Sequence, residues 1–205
     1  MRRLSLGIAS LLISVCTVSA EPSEIIKWKD VNGWTVASDV TMEGSCFIIS
    51  EYEGGVTLRL GFHPKGSEFP FYMMFGNDDW KSIEIGKDYD LSFQFDRSEP
   101  WTASARVAGD ESGKFLFINL AEPDFLSGFV RKRGLKITFE DRVVANLSLR
   151  DSGRAAEEML NCQKAVDKLI AEEDEKRDPF GGKAEETDPF TATGGRGSSK
   201  DPFSL

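Results

Sequence analysis

A mainly β fold is what this 205-residue sequence predicts: an antiparallel sandwich or barrel-like domain, then one amphipathic helix and a disordered acidic tail. Three observations carry that expectation. Residues 25–150 break into short runs rich in β-branched and aromatic side chains, punctuated by Gly, Asn and Asp. Residues 152–175 repeat apolar side chains at spacings of three and four. From about Glu173 the periodic apolar pattern stops and Gly, Asp, Glu, Lys, Ser and Thr dominate, too little apolar surface to offset the entropy of ordering.

The elements follow in order. Residues 25–29 come first and 34–40 follow Asn32-Gly33; residues 45–52 and 56–62 flank Glu53-Gly54-Gly55, which reads as a hairpin connection. Residues 69–75 follow, and Pro70, which cannot donate to a ladder, argues for an edge position. In residues 89–95, Tyr89, Leu91, Phe93 and Phe95 share one face and Asp90, Ser92 and Gln94 the other. Residues 101–108, 114–120, 135–139 and 143–149 complete ten strands, with a tight turn at Arg142 between the last two. Between them, Phe125, Leu126 and Phe129 stand at helical offsets behind Pro123, so residues 122–133 read as a short helix. In the C-terminal helix Ala155, Met159, Cys162, Val166 and Leu169 form one apolar stripe, widened by Leu160 and Ile170, and Asp151 or Ser152 stands ready to cap its start.

The N-terminus reads as an export signal. Arg2 and Arg3 precede an apolar run that ends in Val18-Ser19-Ala20, a small-x-small pattern with cleavage after Ala20. The run is shorter than the roughly 20 apolar residues of a membrane span. A retained anchor, a twin-arginine route and lipidation at Cys16 are the alternatives. The predicted organisation is therefore a signal at 1–20, a β-rich domain at 21–150, a packed helix at 151–175 and a tail at 176–205. The expected location is periplasmic or secreted, with no transmembrane span in the mature chain.

Removing Arg2 and Arg3 leaves 23 of the 25 basic residues against 34 acidic ones, a mature charge of −11. Such a chain repels phosphate backbones, so nucleic acid is not an expected partner. Two cysteines then remain, Cys46 and Cys162, and an even pair in an oxidising compartment favours a disulfide over a redox-active Cys-x-x-Cys site. Cys162 sits on the helical stripe, so the bridge would pin the helix to the β-domain.

Chemistry-bearing motifs are sparse. His63 is the only histidine, and no Gly-x-Ser-x-Gly elbow accompanies it. Zinc ligands are too few, and Asn77-Asp78-Asp79 reads as a polar turn rather than a calcium loop. No glycine-rich phosphate loop stands between a strand and a helix, and no cofactor is expected. Arg131, Lys132 and Arg133 form a basic spot on an acidic chain, either a solvated helix end or a seat for an acidic partner or lipid headgroups. Trp28, Trp34, Trp80 and Trp101 read mainly as core.

One repeat stands out. Asp178-Pro179-Phe180, Asp188-Pro189-Phe190 and Asp201-Pro202-Phe203 all read Asp-Pro-Phe. Proline restricts the backbone and the aromatic offers an anchor, which suits multivalent docking of a protein partner through the tail. The copies look like the Asp-Pro-Phe motifs that bind eukaryotic clathrin-adaptor appendages. The other reading is a solvated tail without a partner.

Finally, Gly33-Trp34-Thr35-Val36 opens the domain, Cys46 follows, and Val144-Ala145-Asn146-Leu147-Ser148-Leu149 leads into Ala155-Ala156. In these scattered positions the chain resembles small exported alphaproteobacterial proteins, including the invasion-associated locus B family. That resemblance implies a non-enzymatic β-rich envelope protein, in some members linked to host contact. The leading expectation is an exported binding or accessory protein of the bacterial envelope. The alternatives are a hydrolase of envelope polymer using carboxylates such as Asp78, Asp79, Glu84 and Asp96, or a secreted virulence factor docking through the Asp-Pro-Phe tail.

Overall fold

The computed structural model describes residues 24–110 and 113–177. The signal with Ala20, and the three Asp-Pro-Phe copies, lie outside the described residues. Ten strands form one antiparallel sheet: β1 Ile25–Val31, β2 Trp34–Asp39, β3 Ser45–Glu51, β4 Thr57–Phe62, β5 Phe71–Gly76, β6 Asp88–Phe95, β7 Trp101–Asp110, β8 Gly113–Leu120, β9 Gly134–Phe139 and β10 Arg142–Ser148. Helix α1, Pro123–Arg131, separates β8 from β9, and α2, Ser152–Arg177, follows β10. Spatial order is β1-β2-β3-β4-β5-β8-β7-β6-β9-β10.

Turn chemistry sets the hairpins. Asn32 and Gly33 take left-handed φ of 43° and 91° between Val31 and its partner Trp34, the two-residue turn whose twist matches the flanking strands. Glu140 and Asp141, at 46° and 62°, do the same between Phe139 and Arg142. Arg142 therefore begins β10 rather than making the turn. Pro70 also departs from expectation. Its strand, β5, is internal, between β4 and β8. Pro70 sits just before the strand starts, where its carbonyl accepts the His63 N–H at 3.1 Å and its missing donor costs the ladder nothing.

The open sheet curls into a barrel-like trough. Phe75 of β5 and Phe93 of β6 are separated by two strands in the sheet, yet their rings meet edge-on at 6.1 Å across the interior. Nearer the sheet ends, the Tyr52 hydroxyl just past β3 donates to the Ser148 carbonyl of β10 at 3.0 Å. The inward side chains join one core that includes Trp34, Val36, Ile48, Leu58, Leu60, Met73, Phe75, Leu91, Phe93, Leu135 and Ile137. Two helices close the concave side. Phe125 of α1 packs against Phe93, Phe95 and Trp101, and Phe129 against Trp34. Helix α2 lies on β2 and β3 through Ala155, Met159 and Cys162, all fully or nearly fully buried.

Cys46 and Cys162 are bridged, with Cα atoms 6.1 Å apart. Beside the bridge, Gln163 Oε1 accepts the Cys46 N–H at 2.8 Å, where the β3–β4 ladder has ended. The helical stripe is shorter than its period implies. Val166 is the last residue packed on the core, while Leu160, Leu169 and Ile170 are exposed. The helix also outruns the sheet: it continues to Arg177, past the point where the composition predicts disorder.

Candidate functional site

Two places on this scaffold gather polar chemistry. The first is on the convex face. Arg59 of β4 donates through its guanidinium to Asp39 Oδ2 at 2.6 Å and through Nε to the Tyr72 hydroxyl at 2.7 Å. Its guanidinium carbon stacks 3.6 Å from the Phe47 ring centroid. Tyr72 in turn stacks on Phe117, and His63 meets both rings edge-on while its Nε2 lies 2.9 Å from Asn119 Oδ1. The alternation of β3, β4, β5 and β8 puts Phe47, Gly61, Tyr72 and Asn119 in one row. Gly61 is required there: a Cβ would stand 2.6 Å from the Tyr72 hydroxyl and 2.8 Å from Phe47 Cβ.

This cluster is closed on itself. Burial alone would raise the Asp39 pKa, but hydrogen bonds from Thr41 and Arg59, with the guanidinium charge, outweigh it and hold the carboxyl below its usual range. Burial pushes the Tyr72 phenol up to about 12, against the opposing pull of Arg59. Each group is already answered by another, so the cluster reads as a structural network around the only histidine.

The second place is open. The end of α1 with the two residues that follow it, the end of β10 and the start of α2 surround a cleft of about 560 Å³. Arg131, Lys132, Arg133, Arg150 and Arg154 line it, against the single acid Asp151. Asp151 approaches only Arg154, at 4.0 Å; among the described residues the other four cations form no ion pair.

Backbone hydrogen bonds fix the cleft walls. Asp96 Oδ1 accepts the N–H groups of Arg133 and Gly134 at 3.1 and 2.9 Å. Leu149 N–H reaches the Arg133 carbonyl at 2.8 Å, and the Trp34 indole N–H reaches the Arg150 carbonyl at 3.0 Å. The Ser152 hydroxyl donates to the Phe129 carbonyl at 2.6 Å, tying the start of α2 to α1. Gly153 allows that approach, since a Cβ there would stand 2.7 Å from the Val130 carbonyl oxygen. The N-terminal N–H groups of α2 add positive partial charge to the same wall.

The three adjacent cations are visible in the sequence as a basic spot. Arg150 and Arg154 are not, because only the turn from β10 into α2 carries them back to α1. The candidate carboxylates are scattered instead. Glu84 pairs with Lys87 at 2.6 Å, and Asp96 is occupied by backbone donors. Asp78 and Asp79 line different grooves. Asn77 Oδ1 accepts the Asp79 N–H at 2.8 Å, a polar turn, and no metal-binding cluster of His, Cys, Asp and Glu occurs among the described residues. No described helix is long and apolar enough to cross a membrane.

Compared with protein-family models, curated proteins and solved structures, the chain matches none.

Proposed function

We propose that this is an exported binding or accessory protein of the bacterial envelope, acting in the periplasm or outside the cell, whose basic cleft holds an acidic segment of a protein partner. The observation that carries the proposal is the cleft itself. Five cations face one acid there, on a chain whose formal charge is −9. Leaving like charges together without local counter-ions costs stability, and an anionic partner repays that cost. The cleft is wide and polar, which suits a peptide segment better than a small apolar ligand. The Cys46–Cys162 bridge fits an oxidising compartment, and the resemblance to exported alphaproteobacterial proteins supports the same location.

Calorimetric titration of the purified chain with a synthetic oligoglutamate peptide tests the binding. We expect saturable binding that weakens as salt rises and is lost in Arg133→Glu/Arg150→Glu. Equal binding by that variant overturns the assignment. Pyrophosphate that binds tightly while oligoglutamate does not would replace the peptide with a small phosphate ligand. Fractionation of the native host with a non-reducing gel tests location: recovery in the cytoplasm as a free dithiol would refute export.

A further inference from the structure

Beside the basic cleft, α1 and α2 leave an apolar groove of about 320 Å³ over the ends of β4 and β5. Phe62, Phe71, Leu126, Met159 and Leu160 line it, and Arg131 stands at its rim. Leu160 is 47% exposed here although the neighbouring α2 residues Ala156 and Met159 are buried. An apolar depression with one cation at its edge is the complement of an acid followed by an aromatic. This chain carries that pattern three times beyond Arg177, as Asp-Pro-Phe.

We infer that the groove between α1 and α2 takes an Asp-Pro-Phe copy from this chain's own C-terminal segment, with the phenylalanine in the groove and the aspartate against Arg131. The proline fixes one backbone angle in advance, so less freedom is lost on docking.

Geometry selects which copies reach. Leu160 lies about 17 residues before Arg177, roughly 26 Å along the helix axis. Asp178 follows Arg177 directly and cannot fold back that far. Asp188 lies about 11 residues on, a reach of roughly 36 Å when extended, and Asp201 has more. The second and third copies therefore reach the groove and the first does not. Tethering presents them at an effective concentration on the order of millimolar, enough to populate a weak three-residue contact. Glu185 and Glu186 ahead of the second copy add charge that suits the neighbouring cleft. The inference stands on the groove and the repeat, whichever ligand the cleft takes.

The test uses the full-length chain with labelled methionine methyls, Met159 being the reporter at the groove. We expect the Met159 resonance to shift in Phe190→Ala/Phe203→Ala and to stay in place in Phe180→Ala. Arg131→Glu should move it toward the double variant, and a synthetic peptide of residues 186–192 added to the double variant should move it back. An unchanged Met159 resonance in the double variant overturns docking, as does an equal shift in Phe180→Ala. A wild-type resonance that changes on dilution assigns the occupant to a second copy and overturns the intramolecular contact. Oligoglutamate titration of the double variant reads the cleft separately, so the two assignments fail independently.

Discussion

At the residue scale, the convex network shows how a charge is kept under a sheet surface. Asp39 and Arg59 are both nearly buried, with side chains 7% and 12% exposed. Taking such a pair from water is costly, and only its further bonds to Thr41 and Tyr72 make it tolerable. Asp39→Asn leaves Arg59 buried without its counter-charge, and we expect a loss of about 3 kcal/mol at neutral pH, read from urea midpoints. Because the folded state holds the Asp39 pKa below its ordinary value of 3.8, its contribution is present above that value and fades as pH falls through the lowered one. The gap between wild type and variant should therefore narrow in acid; a gap independent of pH would contradict this. Tyr72 has the opposite sign. Its phenol is raised from 10.0 to about 12, so its contribution holds below about pH 10 and is lost as pH climbs toward 12. Burial raises Tyr52 to about 12 as well, so absorbance titration should show two phenols ionising that late in the wild type and one fewer in Tyr72→Phe. Gly61→Ala should cost roughly 1–3 kcal/mol, because Phe47 Cβ cannot rotate out of the new methyl's way. An unchanged melting temperature would show that the strand shifts to make room.

At the element scale, α2 is held by three different devices at its start and middle. The Ser152–Phe129 bond fixes its first turn, Ala155 and Met159 pack on the core, and the bridge at Cys162 locks the middle. Past Val166 the helix has no sheet beneath it, which is why Leu169 reaches 62% exposure although it keeps the stripe's period. The disulfide closes a sequence separation of 116 residues. In the chain-entropy model such a bridge is worth about 4–5 kcal/mol, so Cys46→Ala/Cys162→Ala, or reductant on the wild type, should lower the urea midpoint accordingly. A reduced chain that unfolds at the same urea concentration would show that core packing alone holds the helix.

At the scale of the whole molecule, one curled sheet and two helices complete the core within the described residues. Deleting residues 178–205 keeps every side chain of that core and removes only the weak groove contact inferred above, so we expect a change in folding stability of less than about 0.5 kcal/mol. Calorimetric melting of the truncated and full chains checks this, and a large drop would place tail residues in the core. The charge distribution also becomes meaningful only at this scale. An acidic chain concentrates five cations in one cleft, and the neighbouring apolar groove shares Arg131 with it.

Local patterning determined much of this protein. All ten strands and both helices follow from alternation, turn residues and the three-four period, because each is set by contacts and backbone preferences within a few residues. The Cys46–Cys162 pairing was legible too: of three cysteines, Cys16 falls in the expected export signal, and the two that remain allow one bridge. What the sequence left open depends on neighbours far apart in the chain. Pro70 looks like an edge residue until the β4–β5–β8 pairing makes β5 internal. Leu169 looks buried until the limits of the sheet expose it, and Leu160 until the groove between α1 and α2 leaves it open. Arg150 and Arg154 look like ordinary surface charge until the β10–α2 turn carries them to Arg131–Arg133. Periodicity states which face of an element is apolar; only the curl of the sheet decides what that face meets, and where the charges left over come together.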